Sequence, residues 1–253
     1  MRNLDSFFFK SELTNEIIEG YLDRDNPRSE VLFIMKEPHN ENQPDFWFYH
    51  VLRRDSNQYG DYMKGNAKRF YQILGSLACV LTGEFDTSDN AKDRALKKCA
   101  FINLYPFSGA STVKGKNGVT ENGYLRTKDC INDYLVNGEI TIEKSDLVIE
   151  VAKSRIELIS CSKDFGIRFI VTVSDLFWIL SRNYHGDLID KNYLSVKTGK
   201  GSKARYRDFC LAELDNGIKI LEFWHPSYTR INYENLNEAI MQRINILKTE
   251  KLI

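Results

Sequence analysis

Two residues near opposite ends of this chain combine a reactive side chain with a setting that can present it. Glu37 stands in Val31-Leu32-Phe33-Ile34-Met35-Lys36-Glu37-Pro38-His39-Asn40, an apolar run that stops at a carboxylate beside a proline. His225 stands in Ile218-Lys219-Ile220-Leu221-Glu222-Phe223-Trp224-His225-Pro226-Ser227-Tyr228, an apolar run that stops at an imidazole beside a proline. Pro38 pushes the backbone of Glu37 toward extended geometry, which holds the carboxylate at a strand end rather than rolling it into a helix. A carboxylate can act as general acid or base, and a neutral imidazole can donate to a developing oxyanion. If the two runs are neighbouring strands of one sheet, both groups face a common cleft.

Asn103 closes a third apolar run, residues 100–104. Its amide offers a donor and an acceptor and can read one edge of a planar ligand, or it can bond its own backbone in a turn. Phe46-Trp47-Phe48-Tyr49 follows the Glu37 loop. Its rings either stack on a flat base or anchor the loop to the core. Two Lys/Gly stretches, residues 113–118 and 197–207, suit phosphate contact or a solvated loop; the second holds five cations. No GxxxxGK[ST] loop occurs, so nucleotide hydrolysis is not indicated. His39, His50 and His185 lack a comparable setting and read as surface or structural residues.

Positioning these groups requires a sheet. Four apolar runs of strand length, residues 31–35, 100–104, 167–173 and 218–224, are separated by helical patterns. The helices are expected over residues 66–81, with Gly83 as C-terminal cap, and over 88–98, 141–163, 174–181 and 234–248. Alternation of this kind predicts an α/β fold, a three-layer αβα arrangement around a four-stranded, mainly parallel sheet. Residues 206–214, the turn Asp215-Asn216-Gly217 and the last apolar run predict an added antiparallel β-hairpin near the C-terminus. Ligands bind outside the carboxyl ends of such strands, which is where Glu37, Asn103 and His225 fall.

The 253 residues are expected to form one domain. With 35 Lys+Arg against 35 Asp+Glu the formal net charge is zero, so any nucleic-acid contact must come from a local patch. No apolar run approaches the ~20 residues that span a bilayer, and Phe7-Phe8-Phe9 is too short for a signal-peptide core. A soluble, cytoplasmic, monomeric protein is expected. Its five cysteines are odd in number and at least 20 residues apart, so they read as reduced thiols with no metal site.

At Met35-Lys36-Glu37-Pro38, Phe101-Ile102-Asn103-Leu104-Tyr105-Pro106, Ile170-Val171-Thr172-Val173-Ser174 and His225-Pro226-Ser227 the chain resembles the uracil-DNA glycosylase superfamily. It is most similar there to the single-strand-selective monofunctional branch. Four elements in the family's order cover about residues 28 to 250. The resemblance implies base flipping and cofactor-free, metal-free hydrolysis of the N-glycosidic bond of uracil or another damaged base in DNA. It implies that Glu37 positions and activates water, Asn103 reads the uracil edge and His225 stabilises the departing base anion. Phe46 or Phe48 would stack on the base, and Met35, Pro38 and Ser227 would complete the substrate-binding set. The segment from Tyr228 to Asn232 would be the wedge entering DNA, so Tyr228 and Arg230 join Lys114, Lys116, Lys200, Lys203 and Arg205 as expected DNA contacts. The chain departs from the family at Met35, where a glycine is usual, and at Val173-Ser174-Asp175. Those departures and the neutral charge support a second reading: an inactive module of the same fold that binds nucleic acid, a nucleotide or a partner protein. A third is an enzyme on a free nucleotide or nucleoside, using the same cleft.

Overall fold

The computed structural model describes residues 20–21, 29–35, 66–105, 123–199, 204–224 and 232–250. In chain order these form β1 (Gly20–Tyr21), β2 (Val31–Met35), α1 (Asn66–Thr82), α2 (Asp89–Lys97), β3 (Cys99–Asn103), α3 (Gly123–Asn137), α4 (Asp146–Cys161), β4 (Phe169–Val173), α5 (Ser174–Asn183), β5 (Asp187–Thr198), β6 (Arg205–Glu213), β7 (Lys219–Phe223) and α6 (Tyr233–Thr249). A 3-10 turn, Ser162–Phe165, extends α4.

The fold is α/β. The sheet is larger than the four strands expected: seven strands lie in the order β1-β3-β2-β4-β7-β6-β5. The neighbours β3-β2, β2-β4 and β4-β7 are parallel. Strands β6 and β5 extend this sheet antiparallel rather than standing as a separate hairpin, and β1 adds a short antiparallel edge. Strands β2, β3 and β4 are buried at all five positions. That burial on both faces is why they read as unbroken apolar runs.

One core cluster joins Phe33, Leu74, Phe101, Val171, Leu221 and Ile240, which places α1 and α6 on one face. A second joins Ile34, Ile102, Ile131, Ile159, Ile170 and Leu180, which places α3, α4 and α5 on the other. Lys92 of α2 is 3 % exposed. Its ammonium donates to Gln72 Oε1 and lies 3.8 Å from Asp89. This pairing meets the requirement that a buried cation be partnered.

The turn after β6 forms as expected. Gly217, with φ 79°, donates its N–H to Leu214 O at 2.8 Å, and Leu214 donates to Ile218 O at 2.8 Å. A left-handed residue there costs glycine nothing.

Helix α4 starts at Asp146 rather than at 141. The reason is Asp133, which accepts the N–H groups of Thr141 and Ile142 and holds them in a loop. Burial pushes the Asp133 carboxyl up, but these two backbone donors, with the side chains of Thr141 and Asn137, hold it below the usual value. A carboxyl with a depressed folded-state pKa contributes stability above its unfolded value, lost as pH falls through the folded one. The urea midpoint of wild type is therefore expected to drop below the usual Asp value of about 3.9. The Asp133→Ala variant should start lower at neutral pH and lose less on acidification. Parallel pH profiles would contradict this.

Among the described residues no helix is long and apolar enough to cross a membrane.

Candidate active site at the carboxyl edge of the sheet

Because β3, β2, β4 and β7 are parallel, their carboxyl ends share one edge. The described helices that come next after β2 and β7, α1 and α6, lie on one face, and those that come next after β3 and β4, α3 and α5, lie on the other. In open α/β sheets ligands bind outside the carboxyl ends of the strands, where successive helices change face. The chain leaves β2 at Met35, two residues before Glu37, and leaves β7 at Phe223, two residues before His225. One strand, β4, separates β2 from β7, so their ends are about 10 Å apart.

Asn103 and Met35 are register partners at this edge. The Leu104 N–H donates to Met35 O at 2.7 Å, which ties the two strand ends together. Asn103 is 7 % exposed. Met35 is 3 % exposed, and its side chain belongs to the core on the α1 and α6 face. Strand β4 runs into α5 with no intervening turn, since Val173 ends one and Ser174 begins the other.

Around these strand ends stand residues that the sequence did not single out. Tyr105 packs its ring over Gly123 at the start of α3, where an added Cβ would lie 2.1 Å from Tyr105 Cε1. The Gly123→Ala variant must displace that ring and is expected to lose about 1–3 kcal/mol of stability. Equal urea midpoints for variant and wild type would sink this packing account. Next to Gly123, the Tyr124 phenol is pushed well above its usual value, mainly by burial and further by Asp175. Lys128 donates to Asp175 Oδ2 at 3.1 Å and so joins α3 to the first turn of α5.

One layer below the edge, Ile34, Thr172 and Glu222 form a row across β2, β4 and β7. Thr172 Oγ1 is buried without a hydrogen-bond partner among the described residues. Glu222 is 1 % exposed, and its Oε1 accepts from Arg207 Nη2 at 2.7 Å. The Cys210 thiol is pushed up, first by burial and then by the charge and hydrogen bond of Glu222. The sequence did carry a signal for this carboxylate: a glutamate interrupting Ile220-Leu221-Glu222-Phe223. Its partner lies on a neighbouring antiparallel strand and had no local signal.

Of the residues expected from sequence, Met35, Asn103 and Arg205 are described. Arg205 opens β6 and is exposed. Glu37, Pro38, Phe46, Phe48, Lys114, Lys116, Lys200, Lys203, His225, Ser227, Tyr228 and Arg230 lie outside the described residues. All five cysteines are free, and four are buried. Burial pushes the Cys79 thiol up to about 12. Among the described residues no group of three or more His, Cys, Asp or Glu is placed to hold a metal ion. A cavity of about 450 Å³ lies between α3 and α4, lined by Tyr134, Lys153, Ile156, Glu157 and Ser160. It sits where α4 leads into the start of β4, at the opposite edge of the sheet.

No family model, no curated protein and no solved structure matches this chain.

Proposed function

We propose that the chain is a DNA glycosylase-like hydrolase that cleaves the N-glycosidic bond of uracil or another damaged base. The observation that supports this reading is the shared carboxyl edge of β3, β2, β4 and β7. The chain departs from that edge toward Glu37 at one strand end and toward His225 at another, with Asn103 in place on β3. Strand ends about 10 Å apart leave room for a flipped base between a carboxylate and an imidazole.

The chemistry asks for those two groups. Breaking the bond between C1′ and the base nitrogen sends its electron pair to the base and leaves cationic character on the sugar. Water adds to C1′ and gives up a proton. The departed base anion takes up a proton from solvent, and the carboxyl protonated by water returns one to solvent, so the products are a free base and an abasic sugar. Glu37 stabilises the sugar cation and takes the proton from water; His225 donates to the oxygen that carries the base's negative charge. Asn103 pairs with the edge of the base.

A second reading has its own support. Met35 buries a thioether side chain at the end of β2 where the resembled family has a glycine. A binding module of the same fold, without cleavage, accommodates that change more readily.

The test is release of free base from single- and double-stranded oligonucleotides containing one uracil, followed by alkaline scission at the abasic site. Scission by wild type that is lost in Glu37→Ala and His225→Leu supports the hydrolase. Binding without scission that survives Glu37→Ala supports the module.

A further inference from the structure

We propose that the end of the β5–β6 hairpin is an arm that binds single-stranded DNA, with Tyr206 stacking on a base and Lys197 and Arg205 contacting phosphates. The proposal rests on the reading of the chain as one that acts on DNA and adds a second contact surface to it.

The arm projects past the strand ends. Leu211 is the register partner of Leu221, which puts Phe209 level with Phe223, the last residue of β7. Their ring centroids are 4.7 Å apart. Strand β6 begins at Arg205, so residues 205 to 208 run on beyond β7 by about 14 Å at ~3.4 Å per residue. Because β6 is antiparallel to β7, this extension lies at the carboxyl edge, beside the point where the chain leaves toward His225.

Its chemistry suits a polynucleotide. The described part of the arm carries Lys197, Arg205 and Arg207 against one acid, Asp208, whose carboxylate accepts from Ser195 Oγ at 2.6 Å, in a chain of zero formal net charge. Tyr206 is 69 % exposed, the most exposed of the large hydrophobic residues described. It is the direct cross-strand partner of Lys197, so a ring and an ammonium stand side by side on one face. An exposed ring beside Lys197, with Arg205 on the opposite face of the same two-stranded ribbon, is a pairing by which a single strand can be held, base on ring and phosphate on cation.

The arm is also fixed in place. Arg207 is committed to Glu222 on β7. Asn235 of α6 donates to Lys197 O at 2.8 Å, and Thr198 Oγ1 donates to Arg205 O at 3.2 Å. A pre-organised platform loses less entropy when a strand settles on it.

The test uses the full chain and a fluorescent single-stranded DNA oligonucleotide without uracil, read by anisotropy, so that binding is seen apart from any base release. Tyr206→Ala is expected to raise Kd about tenfold. Tyr206→Trp is expected to keep or improve affinity. The double variant Lys197→Ala/Arg205→Ala is expected to flatten the slope of log K against log salt by about 1.4, at ~0.7 per phosphate contact. The exposure of all three side chains predicts unchanged urea midpoints for these variants. Unchanged affinity in Tyr206→Ala, equal loss in Tyr206→Trp, or no binding by wild type would each overturn the arm. So would binding of the matching RNA with DNA left unbound, or a protein as the sole ligand captured through Tyr206. Base release that persists in Tyr206→Ala with DNA affinity unchanged would sink the arm alone. DNA binding through Tyr206 with no base release would sink the hydrolase alone.

Discussion

Glu37→Ala and His225→Leu are each expected to slow base release at least about 100-fold in single-turnover assays while leaving DNA affinity within a few-fold of wild type. The reasoning starts from where charge develops. The ground-state nucleotide has a neutral glycosidic bond, and the transition state has a cationic sugar and an anionic base. A carboxylate and a hydrogen-bond donor at those two places favour the transition state over the ground state, so their loss falls on the chemical step rather than on binding. In the proposed mechanism, alanine at 37 removes the group that accepts the water proton. In the same mechanism, leucine at 225 removes the donor to the base oxygen with little change in bulk. The strands leading to these residues, β2 and β7, are not the neighbours that the sequence suggests; β4 lies between them, so the two groups must meet across one intervening strand end. A rate in Glu37→Ala equal to that of wild type would remove the carboxylate from the mechanism.

Arg207→Ala is expected to cost about 2 kcal/mol of folding stability, seen as a lower urea midpoint. Glu222 has a side chain 2 % exposed, and Arg207 Nη2 at 2.7 Å is the cation that faces it. Removing one partner of a fully buried pair costs about 3–5 kcal/mol. Arg207 is 45 % exposed, so water screens its side of the pair and the expected cost is discounted. The double variant Arg207→Leu/Glu222→Leu should be less destabilised than Arg207→Ala, because it leaves no carboxylate buried without a cation. Arg207→Ala should also weaken binding of undamaged single-stranded DNA, since this pair fixes the base of the arm. An Arg207→Ala protein as stable as wild type would mean that the pair contributes nothing to folding.

Much of the frame was legible in the sequence because the central strands are buried on both faces. Val31–Met35, Cys99–Asn103 and Phe169–Val173 bury every residue, and such strands can be written only as apolar runs. The β6–β7 turn was legible because Asp215-Asn216-Gly217 carries its own backbone geometry.

Strand β5 was not legible. Its exposed first half, with Asp187, Asp190, Lys191 and Asn192, reads as a loop, and its register shifts between Leu188 and Leu194 break any alternation. Helix α3 was missed because its buried positions include Thr127 and Cys130, a weak apolar stripe. The start of α4 was placed too early because the competing hydrogen bonds come from Asp133, eight residues upstream of Thr141. At the candidate site, Asn103 and the two strand ends were legible as apolar runs stopping at polar groups. Glu222–Arg207 and the projecting Tyr206 were not, because both depend on how far β6 runs beyond β7, and only the pairing register sets that length.

The most direct measurement of the central claim is the fraction of free base released by purified wild-type protein from an oligonucleotide carrying a single uracil, run as single strand and as duplex and extended to other common lesions. The account predicts release of free base with an intact abasic strand left behind, without added metal or cofactor. No base released from any of these substrates, with the protein folded and bound to the DNA, would contradict it.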